Sequence, residues 1–553
     1  MPSRGAVRVV RHVTADSPEL PEPGAFRPPA KPPRDNAPPD DIVRGFLVAH
    51  GDPRNDRAIA RTYLVPQAVW NDKTGVTIAT TRVGVPVVTG DAATVPLTLD
   101  RVGTISPSGE FRPAPAPARE SLTLRLRRVA GLGWRLVAAP PGLVLGPHEL
   151  SGTFDRTTLY FPSQARRLVP DTVFLPASDQ PVGAAVRALL VGPRGWIARA
   201  VRSALPNNTE LLGTPSVVDR VATVNFSREI TLASQETLGA FVAQLVWTLT
   251  ENTSIDAVRV QVEGQPLAVP GRPGLRDHRR IDWTLYAPVP ETSDTRLFFV
   301  RDGGAYAVDD SGRESRLPVT QPLASLAVNR AGTRLAGVTA PAGGRQSLIL
   351  VDLANGAAVR TALTADRVTA PTWEPGGDVV WVASTSGGAQ QVLAVPATPG
   401  PPATVAAALA GPVTSLRLSP DGTRAALVVG AGALASLWLA RVEHPAAGGR
   451  LLADPRPVAS SLRRVTAVAF DGAVQLLLAV VAGGRPALYR VDLDGYNLTR
   501  QRDDRLPAAA VTALAVTAPA ERVASVAGTL WRRTPGSDWK VLPGRGAAAV
   551  FAD

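Results

Sequence analysis

At 553 residues the chain is longer than one hydrophobic core usually organises, so about two to four domains are expected. The complete lack of cysteine excludes disulfides, thiol catalysis and cysteine metal sites. The formal net charge of +12 is carried almost wholly by arginine, with lysine only at Lys31, Lys73 and Lys540, and the arginines are scattered rather than interleaved with aromatics, so no nucleic-acid partner is expected. In chain order, residues 1–39 come first, rich in proline and charge (SPELPEPGAFRPPAKPPRDNAPP), and are expected to form a disordered, extended tether. The opening MPSRGAVRVVRH is basic but no apolar h-region follows it, so the sequence as written carries no export signal. No apolar run reaches bilayer-spanning length.

Residues 40–150 read as an α+β domain. Asp40 and Asp41 sit at an acidic helix start, and Ile42, Val43, Phe46 and Leu47 make one apolar stripe. Across the break GDPRND, Ile59, Tyr63, Leu64 and Trp70 make another. VTIATTRVG, ATVPLTLDRVGTIS, ESLTLRLRRVA and GWRLVAAP then alternate as strands, with Leu122, Leu124 and Leu126 opposite Thr123, Arg125 and Arg127. Two helices on a curved antiparallel sheet are expected, of the NTF2-like type by fold analogy alone.

Residues 151–285 contain the most specific pattern. Strands are expected at Thr157 to Pro162 and Val173 to Leu175, and a helix from Pro181 to Val191. Val221, Thr223 and Asn225 alternate with Ala222, Val224 and Phe226 as a strand. Ser234 is placed to cap a helix, and Leu238, Phe241, Val242, Leu245, Val246 and Leu249 form its apolar face. Val258, Val260 and Val262 make a second strand, which Gly264 ends in a turn. The segments Ser203 to Pro206, Leu211 to Gly213, Val221 to Ser227, Leu245 to Thr250 and Ile255 to Gly264 resemble the GerMN domain of spore-germination and sporulation proteins. That resemblance implies a role in cell-envelope assemblies and brings no catalytic residues with it.

Residues 286–553 repeat. VTSLRLSPDGTRAALVV from Val413 has relatives at Leu323, Val368, Val465 and Val511, at intervals of 45, 45, 52 and 46 residues. Each unit reads as short strands joined by tight turns, with Asp421-Gly422 and Asp471-Gly472 supplying residues that tolerate positive φ. That period is the signature of a β-propeller blade. The SPDG turn resembles those of TolB-type and WD40-like propellers. Leu297 to Val300 and Ala305 to Val308 look like second and third strands without a first, and Ala547 to Asp553 looks like a first strand without partners. Pairing them completes a six-bladed ring closed by the C-terminal strand and removes two open sheet edges.

Catalytic motifs are missing. There is no GxSxG elbow, no Walker A and no Rossmann fingerprint after a strand. His12, His50, His148, His278 and His444 are far apart, and His148-Glu149 lacks the second histidine of HExxH. Asp302-Gly303-Gly304 suits a hairpin turn better than a phosphate site. Turn positions account for Asp352, Asp421 and Asp492, and blade packing accounts for Trp373, Trp381, Trp438, Trp531 and Trp539, although these indoles could also line a ligand face. The sequence therefore nominates no catalytic, cofactor-binding or metal-binding residue, no cofactor and no enzymatic activity; partner-binding residues are not identified.

The order tether, α+β domain, GerMN-like domain and propeller resembles the LpqB family of actinobacterial envelope lipoproteins. PDDIVRGFLVAH in the first domain and SREITLASQETLGAFVAQLVWTLT in the second carry the resemblance, which spans essentially the whole chain. It implies a lipid-anchored protein on the extracytoplasmic face of the cell membrane. It also implies a partner: the extracytoplasmic domain of the sensor kinase MtrB, in the MtrA–MtrB two-component system that serves envelope and division homeostasis. The family's lipobox cysteine and signal peptide are not in this sequence, so either the start lies upstream and encodes both, bringing attachment to the membrane, or this member is not lipidated; the upstream start is the expectation. The alternative is a binder of an envelope ligand, TolB-like or lectin-like, at the propeller mouth.

Overall fold

The computed structural model describes residues 30–553 apart from 116–117, 290–293, 355–357, 446–447, 502–504, 518–520 and 553. Most of the expected tether lies outside the described residues. Contacts divide the chain into two units. The first runs to Val102 and resumes from Arg119 to Asp155; the second takes Gly103–Ala118 and everything from Arg156.

In the first unit the stripe Ile42, Val43, Phe46 and Leu47 is buried in a helix, Pro39–Ala49, whose first turn carries Asp40 and Asp41. Phe46 meets Trp70 edge-on at 5.4 Å, and the Trp70 indole donates to the Gly142 carbonyl at 3.2 Å. The strands Ala92–Ile105 and Arg119–Val129 pair antiparallel, and Leu124 and Leu126 point inward. Two features differ from the sequence expectation. The second helix is a single turn, Ala58–Arg61, because Asn55, Asp56 and Arg57 all take positive φ and break it at the start. The sheet is not wholly antiparallel: Leu143–Leu145 lies parallel beside Val76–Val83, a pairing that alternation within one strand cannot reveal.

In the second unit the GerMN-like domain has the expected strand, helix and strand. Val221–Phe226 and Ala257–Val262 lie parallel, and the helix Gln235–Leu249 connects them. Ser234 caps that helix by accepting from the Thr237 amide at 3.1 Å. Phe226 and Phe241 meet edge-on at 5.2 Å in the core between helix and sheet. Gln244 is fully buried in the same helix, and neither of its amide atoms has a hydrogen-bond partner among the described residues.

Among the described residues the repeats fold as six four-stranded blades. Two neighbouring blades join at their rims, where Ala406 and Ala407 pair with Leu451 and Leu452. The last blade consists of Leu297–Arg301, Gly304–Val308 and Glu314–Arg316, completed by Ala547–Val550 from the other end of the chain. The terminal strand thus pairs beside Leu297–Arg301 in this blade. Val550 packs with Phe298, Leu326 and Leu335 toward the first full blade, whereas Ala549 and Phe551 pack with Ala515, Val523 and Leu530 of the last one.

Candidate functional site

Inner strands carry apolar residues to the ring's centre and end in tight turns. Ser419, Asp421 and Thr423 form the best-defined turn. The Asp421 carboxylate accepts from the Ser419 hydroxyl (2.6 Å), the Thr423 amide (2.8 Å) and hydroxyl (2.6 Å), and pairs with Arg424 (3.2 Å). Asp302-Gly303 is a two-residue hairpin turn with φ of 48° and 76°, joining Arg301 to Gly304. A phosphate loop would need those amides turned toward a ligand; here they close a strand pair. Asp352 caps its own turn through the Ala354 amide.

The turns Ser419-Pro420 and Asp471-Gly472 line a cavity of about 870 Å³. Its wall includes Phe470, Phe551, Gln475, Asp471 and the guanidinium groups of Arg330, Arg417, Arg490 and Arg522. Arg522 is held by Asp471 at 2.7 Å, and Arg417 donates to the Pro371 carbonyl at 3.0 Å. Among the described residues none forms a hydrogen bond or ion pair with the Arg490 side chain.

The tryptophans divide. Trp373 reaches the cavity wall but is buried and donates to the Ala327 carbonyl of the neighbouring blade at 3.2 Å. Trp381 is buried and donates to Glu374 at 2.7 Å; Trp438 donates to Ser436 at 3.0 Å. Trp531 and Trp539 pack with Leu514 and Ala524. All five serve blade packing. His50 is a buried core histidine whose Nδ1 faces the Leu47 carbonyl at 2.8 Å and whose Nε2 accepts from the Val144 amide at 2.7 Å. His278 is buried beside Trp283, and desolvation lowers its pKa. His148 and His444 are exposed, and His12 lies outside the described residues. Among the described residues no group of three or more His, Asp or Glu is arranged to hold a metal ion.

Sequence reasoning missed a second feature, the joint between the GerMN-like domain and the propeller. Val169, Trp196 and Ile197 pack into a propeller cluster with Val458, Ala459 and Leu493. Arg456 lies over the Trp196 ring at 4.4 Å, and the Trp196 indole donates to the Asp454 carbonyl at 2.8 Å. Arg424 and Arg441 cross the joint to the Pro170 and Trp196 carbonyls. The segment Gly103–Ala118 forms a hairpin arm in which Ile105 pairs with Phe111; Phe111 of this arm, Phe174 of the GerMN-like domain and Tyr496 of the propeller meet as three rings, with centroids 5.1 to 6.2 Å apart. Gly109 permits this approach, since its φ is +87° and a Cβ there would come within 2.6 Å of the Phe174 carbonyl oxygen. The bonds from Arg441 to Trp196, Arg424 to Pro170 and Arg456 to Glu110 span 245 to 346 residues of sequence, so no local pattern announces them.

Comparison with known proteins follows the same three-part order. Residues 32–151 match the family model described as "Lipoprotein LpqB, N-terminal domain", residues 158–268 that of "Sporulation and spore germination", and residues 296–550 that of "Lipoprotein LpqB beta-propeller domain". The chain is 28% identical to Lipoprotein LpqB of Thermobifida fusca, over 82% of this chain and 81% of that one. It is 28% identical to Lipoprotein LpqB of Streptomyces coelicolor, over 90% of this chain and 86% of that one. Among solved structures, TolB from Acinetobacter baumannii matches at 12% identity and a TM-score of 0.39, over 55% of this chain and 84% of that one. The first GerMN domain of GerM from Bacillus subtilis matches at 26% identity and a TM-score of 0.20, over 23% of this chain and 99% of that one.

Proposed function

The chain belongs to the LpqB family of lipoproteins, and from that premise we propose that it is a non-catalytic accessory protein of the cell envelope that acts by protein contact. In this reading its place is the extracytoplasmic face of the cell membrane. Its partner is the extracytoplasmic domain of the sensor kinase MtrB, and its output is a shift of the MtrA–MtrB system between signalling states. A modulator can make such a shift only through different affinities for the two states. The joint is the observation that carries the reading. Burying Trp196 and Ile197 against the propeller fuses two modules into one continuous surface, which suits a broad protein interface better than a reaction at a point. The aspartates and tryptophans singled out in the sequence are also engaged in turns and packing. Deleting the gene should change MtrA phosphorylation, and the wild-type chain should restore it. Unchanged phosphorylation after deletion would refute the reading.

The cavity favours a second reading, that of a ligand binder. A cavity of about 870 Å³ with aromatic walls and a half-buried Arg490 suits a small ligand that carries an anionic group. Arg490→Glu should abolish such binding while leaving the kinase effect intact.

A further inference from the structure

At the joint lies a second, far smaller cavity, partly open to solvent, of about 30 Å³, room for about one water. Glu110 of the hairpin arm, Asp171 and Trp196 of the GerMN-like domain, and Arg424, Arg456 and Asp494 of the propeller line it. Nearly every carboxylate here has its own cation. Glu110 pairs with Arg456 at 2.6 Å and with Arg112 at 3.5 Å. Asp494 and Asp492 share Arg156, at 3.1 and 2.9 Å. Asp421 holds Arg424 at 3.2 Å. Asp171 is the exception: among the described residues no ion pair or side-chain hydrogen bond engages it, and its nearest guanidinium groups are committed elsewhere.

We propose that Asp171 is a proton-dependent latch, which holds the GerMN-like domain on the propeller while protonated and loosens the joint when it ionises. The geometry gives the reason. An ionised Asp171 would face Glu110 and Asp494 across a space with room for about one water, with Arg424 and Arg456 already paired with other carboxylates. Burial, reinforced by Glu110 and Asp494 and opposed by Arg424 and Arg456, pushes the Asp171 carboxyl up to about 7. In an open joint it would return toward the ordinary 3.8. Between those values the closed form holds a proton that the open form has lost, so rising pH favours opening. Above about 7 both forms are ionised and the dependence ends. This inference does not depend on which partner the protein binds.

The test is amide hydrogen exchange on the full chain at pH 5 and pH 8.5, comparing wild type with Asp171→Asn at each pH so that intrinsic exchange cancels. In peptides covering residues 168–172 and 195–200, opening of the wild type relative to the variant should rise by up to roughly a hundredfold and level off above pH 7. Equal pH dependence in the two proteins would overturn the proposal. Asp494→Asn, which removes one like charge and leaves Asp171 in place, should shift the levelling-off to lower pH. A pH profile unchanged by Asp494→Asn would equally count against the latch, even if Asp171→Asn did not fold.

Discussion

Removing the closing strand should cost the propeller about half of its stability. Deleting residues 547–553 takes away Ala549, Val550 and Phe551, which are 0%, 7% and 8% exposed. Val550 and Phe551 each bury about 1.5–3 kcal/mol of apolar free energy, and Ala549 adds roughly 1. The total is roughly 4–7 kcal/mol, against about 5–15 for a whole domain. The effect should also spread. Val550 contacts the first full blade while Ala549 and Phe551 contact the last, so the deletion separates the two blades and exposes a sheet edge on Leu297–Arg301. Thermal unfolding of the chain should show the propeller transition lowered by roughly 10–25 °C. Val541→Ala, at a half-exposed rim position, is the matched control and should change stability by less than about 0.5 kcal/mol. A truncated chain that melts within experimental error of the wild type would refute the closure argument.

Other outcomes follow from single side chains. Asp421→Ala removes four hydrogen bonds and leaves Arg424 buried without its carboxylate, so equilibrium unfolding should report a loss of about 3–5 kcal/mol. Gln244→Leu replaces a buried amide that has no hydrogen-bond partner among the described residues, so it should raise stability by about 1–3 kcal/mol in denaturant titration. Ser234→Ala should cost about 1 kcal/mol by losing the helix cap. In the first unit, the hydrogen bond from Arg54 holds Asp52 down to about 2, from an ordinary 3.8. The stability Asp52 contributes is therefore present above pH 4 and lost as pH falls through 2, and Asp52→Asn should flatten that acid limb of the melting curve.

How much the sequence revealed depended on the range of the interaction. Val221 to Phe226, the Ser234 cap and the apolar face from Leu238 to Leu249 are local periodicities, and they fold as read. The blades were legible because the same turn chemistry recurs at Asp421 and Asp471, and the missing first strand beside Leu297 pointed to the chain's far end. The one-turn helix at Ala58–Arg61 was not legible, since three consecutive non-glycine residues with positive φ leave no mark in hydrophobic spacing. Nor was the joint. Glu110 meets Arg456, and Arg424 meets the Pro170 carbonyl, only after three distant segments have docked. Asp171 reads in sequence as one more strand aspartate; its meaning comes from the space around it.

Direct binding to the sensor kinase is the most decisive measurement. The chain, from about Asp40 onward, would be titrated by calorimetry into the purified extracytoplasmic domain of MtrB. Saturable one-to-one binding is expected, and it should weaken when Trp196→Ala disconnects the GerMN-like domain from the propeller. No association at high micromolar concentration, together with intact folding of both proteins, would contradict it.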